Sequence, residues 1–290
     1  MASFVDRYCR APDGLRLHYR DYDGPAGGVP ALCIPGLTRN CRDFEDLSPR
    51  LARSRRVLAV DLRGRGGSDR DPDWSHYQPA VYLGDLKALL EDAGVPRVVV
   101  IGTSLGGIMG MVLAAYLPGA VAGLVLNDIG PELGAEGLAR VNAYAGTIQP
   151  VRCWEDAAAQ VRGVMAHAMP DFPDADWIRV ARRMYREGPD GTLVPDMDPG
   201  IAAALRSGPS VDAASLWKLF EAARPLPAAV LRGEISDLLL PETVQRMRDV
   251  KRDLISVVVP RRGHVPLLDE PESLDAIDRV LAAADAVQSA

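Results

Sequence analysis

The sequence has little of what marks a secreted, metal-binding or nucleic-acid-binding protein. Its 290 residues contain four cysteines without a CxxC pairing, and this usage predicts free thiols in a reducing compartment. The 33 basic residues are outnumbered by 39 acidic ones, the net charge is −6, and lysine-rich runs are missing. We therefore expect neither a nucleic acid nor an acidic membrane surface as partner. The cysteines are Cys9, Cys33, Cys41 and Cys153.

Long apolar runs and an obvious targeting segment are also missing. No stretch reaches the roughly 18 uninterrupted apolar residues of a membrane-spanning helix, and residues 1–6 have neither the basic nor the apolar region of a signal peptide. From these absences we expect a cytoplasmic protein that acts on a small-molecule substrate without a cofactor or a metal. The sequence leaves open whether the protein forms a homodimer.

What the sequence does contain is an alternation of short apolar runs and helix-like segments. Hydrophobic residues make up 48% of the chain, enough for a sizeable core. The alternation predicts an α/β protein with a mostly parallel sheet, and the unbroken apolar runs 57–60 and 98–101 predict central strands covered on both faces. The alternating run 15–19 predicts an antiparallel edge strand with one solvent-exposed face. The predicted strands are 15–19, 31–34, 57–60, 98–101, 124–126, 229–231 and 255–259.

The alternation of strand-like and helix-like segments stops after Asp128, and the next predicted strand begins near Ala229. We interpret residues 131–224 as a helical cap inserted between two parts of the core, 1–130 and 225–290. The clearest cap helix, about 176–186, has an apolar face of Trp177, Val180, Ala181 and Met184 and an arginine face of Arg179, Arg182, Arg183 and Arg186. We favour a solvated arginine face over a clamp for acidic substrates.

The strongest chemical signal is the segment Gly102-Thr103-Ser104-Leu105-Gly106 between a predicted strand and an apolar helix. A serine at the apex of such a tight turn is exposed as a nucleophile, and the flanking glycines let strand and helix approach each other. The N–H of Leu105 would then point to where an oxyanion forms. The alternative is a glycine-rich turn without a catalytic role. We favour the catalytic turn because a buried strand precedes it and a buried helix follows it.

Together with the earlier segment Asp61-Leu62-Arg63-Gly64-Arg65-Gly66-Gly67-Ser68-Asp69, this turn resembles the α/β-hydrolase superfamily, in its serine-nucleophile branch with a helical cap. The resemblance covers nearly the whole chain. It implies an α/β-hydrolase fold, a doubly wound sheet with the cap inserted after strand 6 and the active site at the strand carboxyl ends. The glycine-rich loop 61–69 lacks the third glycine of a dinucleotide fingerprint. We interpret it as a structural support of the turn 102–106, which we call the nucleophile elbow.

The base and the acid of a catalytic triad are predicted from chain order. Of four histidines, only His264 follows the last strand, as the order serine, acid, histidine requires. For the acid, the resemblance favours Asp237 after the strand 229–231, with Asp128 after the strand 124–126 as the competitor because some members carry the acid one strand earlier. The acid would orient the imidazole and stabilise its cation.

The resemblance also implies a second oxyanion donor, the N–H of Leu37 in Pro35-Gly36-Leu37, where Pro35 replaces the usual histidine. These residues predict a serine hydrolase that cleaves a carboxylic ester or a lactone through an acyl-enzyme. The same triad serves thioesterases, perhydrolases and carbon–carbon bond hydrolases, and a ligand-sensing protein on this scaffold is the alternative from another class.

Overall fold

The computed structural model describes residues 3–207 and 212–288. Residues 1–2, 208–211 and 289–290, which fall within the predicted core and cap ranges, lie outside the described part. Ten strands are found there: β1 Phe4–Arg10, β2 Arg16–Tyr22, β3 Ala31–Ile34, β4 Val57–Asp61, β5 Val98–Thr103, β6 Val121–Asn127, β7 Tyr185–Glu187, β8 Leu193–Pro195, β9 Ala228–Gly233 and β10 Ile255–Val259.

The described helices are α1 Leu47–Leu51, α2 Pro79–Asp92, α3 Leu105–Tyr116, α4 Ala135–Tyr144, α5 Trp154–Met165, α6 Trp177–Met184, α7 Gly200–Ser207, α8 Ala213–Ala222, α9 Pro241–Val250 and α10 Pro271–Gln288. None of them is both long enough and apolar enough to cross a lipid bilayer.

Eight strands form one sheet in the order β1-β2-β4-β3-β5-β6-β9-β10. Only the β1–β2 and β2–β4 pairs are antiparallel; the other pairs are parallel. Strands β4 and β5 are buried along their whole length, as their unbroken apolar sequences predict. The architecture is the alpha/beta hydrolase fold, as predicted.

The N-terminal edge differs from the prediction in one respect. The edge strand is β1, which the sequence analysis did not predict because it carries charge at Asp6 and Arg7 and is exposed almost throughout. Strand β2, predicted as the edge, lies one place further in and is mostly buried. Its His18 is buried and pairs with Asp61 where the alternation predicts a solvent-exposed side chain, so the alternation misled the edge assignment.

Helices cover both faces of the sheet and produce two apolar clusters. Residues of α2, α3, α8 and α9 pack on one face, and residues of α1 and α10 pack on the other. Helix α3 lies against β5 and β6 and is buried along most of its length, because its sequence is apolar on every side.

The segment between β6 and β9 forms the layer above the carboxyl ends of the strands. Helices α5 and α6 and strand β8 share a small apolar cluster of their own, and β7 and β8 form an antiparallel hairpin. Helix α8, although within the predicted 131–224 range, packs on α3 through Leu216 and Phe220, which belong to the cluster on the sheet. The structure thus places α8 with the core helices.

The arginine-rich helix is shorter than predicted and only partly solvated on its polar face. Trp177, Val180, Ala181 and Met184 are buried as predicted. Arg183 is also buried, and its guanidinium donates to Glu45 at 2.9 Å and to Asp46 at 2.5 Å. The prediction of a fully solvated arginine face is therefore wrong at Arg183, because two acidic side chains of the core lie beneath that position.

Candidate active site

Strand register brings three chain segments to one point above the sheet. Ile34 pairs with Gly102, so the Pro35-Gly36-Leu37 loop leaves its strand beside the elbow. Thr103 pairs with Asn127, and Asp128 therefore follows at the level of Ser104. Because the carboxyl ends of parallel strands lie at one edge of the sheet, residues distant in sequence converge there.

Ser104 occupies the strained turn that the motif predicts. The residue lies between the last residue of β5 and the first of α3, with φ of 52° and ψ of −115°. This backbone conformation costs free energy and persists only where the surroundings impose it. A Cβ on Gly102 would lie 2.3 Å from the carbonyl carbon of Gly106, and one on Gly106 would lie 2.0 Å from the Ile34 oxygen. The need for glycine on both sides of the serine is thus confirmed.

His264 lies against the serine hydroxyl. Its Nε2 is 3.0 Å from Ser104 Oγ, within the range that proton transfer requires. The loop that carries it is fixed to the cap, because the N–H of Gly263 donates to the carbonyl of Ala168 at 2.7 Å. The histidine side chain is buried.

The carboxylate on the other side of the imidazole belongs to Asp128. Its Oδ2 is 2.8 Å from His264 Nδ1 and accepts from the Ser236 hydroxyl at 2.6 Å, while its Oδ1 accepts from the N–H of Gly233 at 2.8 Å. The side chain is completely buried, and three hydrogen bonds compensate the cost of burying the charge.

Asp237, the favoured acid in the sequence analysis, lies elsewhere and forms an ion pair with Arg140 of the cap helix α4. The physical reason is the turn after β9. In this turn Ser236 points to Asp128 and the next side chain, Asp237, points away to the cap. The structure corrects the prediction in favour of Asp128, the alternative that the sequence analysis left open.

Both predicted oxyanion donors have free N–H groups. Within residues 3–207 and 212–288, no hydrogen bond uses the N–H of Leu37 or of Leu105. The carbonyl of Leu37 accepts from Nε of Arg65 at 3.0 Å. That arginine is buried, and it comes from the 61–69 loop, so this loop supports the Leu37 loop directly as well as the strand ends around it.

A cavity of about 80 Å³ lies between these residues and the cap. Its wall includes Ser104, His264 and the Leu37 loop below and the cap above. The cap and loop residues of the wall include Leu37, Thr38, Arg39, Asp43, Phe44, Val141, Tyr144, Val164, Met165, His167, Val180, Arg183 and Met184.

Two polar cap residues of this wall, Tyr144 and His167, were not predicted as site residues. Burial raises the pKa of the Tyr144 phenol, and the nearby Arg39 and Arg140 only partly oppose that effect. Burial lowers the pKa of His167, and Arg140 and His264 lower it further. Both side chains are therefore held neutral near pH 7. No local motif marks either residue, since only the fold of the cap brings them over the serine.

Two groups of side chains among the described residues have the spacing of a metal site. One is His18, Cys41 and Asp61, and the other is Asp13, Asp71 and His76. Neither group lines the cavity. Both nitrogens of His18 are engaged by carboxylates, with Asp61 at 2.7 Å and Asp6 at 2.9 Å.

The fold and the comparisons together define the class of the protein. The chain belongs to the alpha/beta hydrolase family, whose profile matches residues 31–277. A solved alpha/beta hydrolase from Novosphingobium aromaticivorans is 46% identical and superimposes with a TM-score of 0.91 over 98% of this chain and 99% of its own.

Two relatives carry the names of specific hydrolases. The 3-hydroxybutyrate-oligomer hydrolase of Cupriavidus necator is 34% identical over 274 residues, which cover 92% of this chain and 93% of the relative. The 2-(acetamidomethylene)succinate hydrolase of Mesorhizobium japonicum is 30% identical over 241 residues, 82% of each chain.

Proposed function

We propose that the protein is a serine hydrolase that cleaves a carboxylic ester or lactone of a small molecule through an acyl-enzyme intermediate. The observation that carries the proposal is the unbroken chain from Ser104 Oγ through His264 to Asp128, with distances of 3.0 Å and 2.8 Å. A nucleophile, a base and an orienting acid in this order activate a hydroxyl that is otherwise a weak nucleophile.

In the acylation step, Ser104 Oγ attacks the ester carbonyl while His264 Nε2 takes the hydroxyl proton. The carbonyl oxygen becomes an oxyanion that accepts from the N–H groups of Leu37 and Leu105. The carbon–oxygen bond to the alcohol then breaks, and His264 returns the proton to the leaving oxygen. Asp128 keeps the Nδ1 proton in place and stabilises the imidazolium.

In the deacylation step, water takes the place of the alcohol. His264 removes a proton from the water, whose oxygen attacks the acyl carbon and forms a second oxyanion in the same hole. Collapse releases the carboxylic acid and restores the Ser104 hydroxyl with the proton held by the histidine. The step needs no co-reactant other than water.

We expect the acyl group of the substrate to be short. The name of the relative from Cupriavidus necator, which refers to an oligomer of 3-hydroxybutyrate, is compatible with a short hydroxyacyl ester. Thioesters, peracids and vinylogous diketones are the alternative substrates for the same triad.

The test is hydrolysis of 4-nitrophenyl acetate, butyrate and octanoate by the wild-type chain and by Ser104→Ala. We expect multiple turnover, a preference for acetate or butyrate over octanoate, and a loss of about 10⁴- to 10⁶-fold in kcat in the variant. Retained hydrolysis by a folded Ser104→Ala protein would refute the proposal. A single turnover followed by a stable adduct would instead favour a ligand sensor.

A further inference from the structure

The cavity wall contains a guanidinium group that the proposed triad chemistry does not use. Arg39 lies two residues after Leu37 and lines the cavity. A methyl group on Gly36 would lie 3.5 Å from Cγ of Arg39 and 3.8 Å from Cβ of Ser104. The stem of Arg39 thus starts about one methyl group away from the nucleophile.

One edge of this guanidinium is fixed and the other is available. Asp43 accepts from Nε at 2.8 Å and from Nη2 at 2.6 Å, a bidentate pair that sets the orientation of the group. Nη1 has a single partner in the described part of the chain, the sulfur of Met165 at 3.8 Å. A thioether is a weak acceptor, so Nη1 can donate to a stronger acceptor in the cavity.

A second donor lies in the same wall. Tyr144 lines the cavity, and its hydroxyl forms no hydrogen bond with any described residue. The tyrosine also interacts electrostatically with Arg39. Arg183, the other guanidinium of the wall, is less suited because it already donates to two carboxylates, Glu45 and Asp46.

We propose that Arg39, assisted by Tyr144, binds a free carboxylate of the substrate, so that the enzyme selects short esters with a carboxylate over neutral esters. A guanidinium with a free edge in a mostly apolar cavity is suited to a carboxylate oxygen. This inference rests on the proposed ester hydrolysis, because it names the substrate class of the same site.

Asp43 limits the size of the effect. Its negative charge orients Arg39 but also repels an anionic substrate, so the preference should be moderate. Loss of the Arg39 donor should lower the preference by about tenfold or more, as expected for one charge-assisted hydrogen bond. Removal of the Asp43 charge should raise it.

The first experiment measures kcat/KM for two matched ester pairs. Monomethyl succinate with dimethyl succinate places the carboxylate on the acyl side. 3-Acetoxybutyrate with its methyl ester, assayed by acetate release, places it on the alcohol side. The anionic preference is the ratio of kcat/KM within a pair. Comparing this ratio between variants cancels the intrinsic reactivity of the esters.

We expect Arg39→Met to lower the preference at least tenfold in one pair, Tyr144→Phe to lower it about threefold, and Asp43→Asn to raise it. Arg42→Met is the matched control, because Arg42 lies only three residues further along the chain but pairs with Asp196 at 2.5 Å and does not line the cavity. A preference that stays within about twofold of the wild type in Arg39→Met, in both pairs, would overturn the inference.

A binding measurement separates this inference from the proposed function. Calorimetric titration of monomethyl succinate into Ser104→Ala, and into Ser104→Ala with Arg39→Met, needs no turnover. We expect binding at least tenfold weaker in the double variant, and equal affinities would contradict carboxylate recognition. Loss of the ester chemistry alone, with the affinity difference intact, would refute the serine hydrolase and leave the carboxylate site standing.

Discussion

At the residue scale, the site depends on side chains whose partners are set by one or two neighbours. Asp128 and Ser104 both have positive φ, at 51° and 52°, and both sit directly after a strand. This conformation turns each side chain out of the sheet toward His264. Ser236 positions the carboxylate, because its hydroxyl donates to Asp128 and its oxygen accepts from the N–H groups of Leu238 and Leu239.

Asp128→Asn and Asp237→Asn should separate clearly. The first replacement keeps the size of the side chain but can hold His264 in the wrong tautomer, so kcat should fall by about 10² to 10⁴ with little change in KM. The second affects only the pair with Arg140 and should lower kcat less than about fivefold.

Steady-state kinetics on 4-nitrophenyl acetate, with circular dichroism to confirm folding, checks this pair of predictions. The reverse order, an active Asp128→Asn enzyme beside a nearly inactive Asp237→Asn enzyme, would return the acid to the position that the sequence analysis favoured.

At the element scale, the approach of α3 to β5 and β3 decides whether the elbow can form. The helix N-terminus lies so near the strand ends that a side chain at Gly106 would overlap the Ile34 carbonyl. By contrast, the cap helix α5 has an exposed glycine, Gly163, with open space around its Cβ position. The two glycines are therefore a matched pair, one required by packing and one not.

Gly106→Ala should destabilise the protein by about 3 kcal/mol or more, because neither backbone can move without breaking the sheet register. Gly163→Ala should stabilise it by about 0.5–1 kcal/mol, since alanine loses less conformational entropy in a helix. Urea unfolding monitored by fluorescence measures both changes. A tolerated Gly106→Ala would show that the elbow is looser than the contacts indicate.

At the scale of the whole molecule, the buried pair of His18 and Asp61 ties the N-terminal hairpin to β4. His18 of β2 lies between Asp61 of β4 and Asp6 of β1, and Asp61 also accepts from the N–H groups of Cys41 and Gly67. Burial alone would lower the pKa of His18, but the hydrogen bonds and charges of the two carboxylates outweigh burial and raise it above 6.5.

The raised pKa of His18 makes part of the stability depend on pH. A group whose pKa is higher in the folded state contributes fully below its unfolded value, about 6.5, and the contribution disappears as pH rises through the folded value. The difference in free energy of unfolding between the wild type and His18→Gln should therefore be larger at pH 6 than at pH 10.

His167 supplies a control of opposite sign, because burial and the charge of Arg140 lower its pKa. Protonation of His167 favours the unfolded chain, so the wild type should lose stability relative to His167→Gln as pH falls below about 6.5. Denaturant titrations at pH 5, 6, 8 and 10 test both signs. A His18 difference that grows with pH would contradict the ion-pair assignment.

The sequence by itself determined the central strands of the sheet and the turn chemistry. Unbroken apolar runs predicted β3 to the residue and β4 and β5 nearly so, because strands buried on both faces leave a local composition that short-range patterns reveal. The bounds of β10 were also predicted to the residue, although this strand contains Ser256 and lies half-exposed at the edge of the sheet. Ser104 and its glycines could be predicted because the strained turn imposes its requirements within five consecutive residues. The order of the motifs was enough to select His264.

Only the tertiary structure decided what depends on the meeting of distant segments. Asp128 and Asp237 both follow strands, and the choice between them rests on which way the Ser236 turn points, a property of packing and not of composition. The solvation of Arg183 depends on Glu45 and Asp46, far away in sequence. The cavity over Ser104, with Arg39 from one loop and Tyr144 and His167 from the cap, exists only once the cap has folded over the sheet, because its walls share no local sequence pattern.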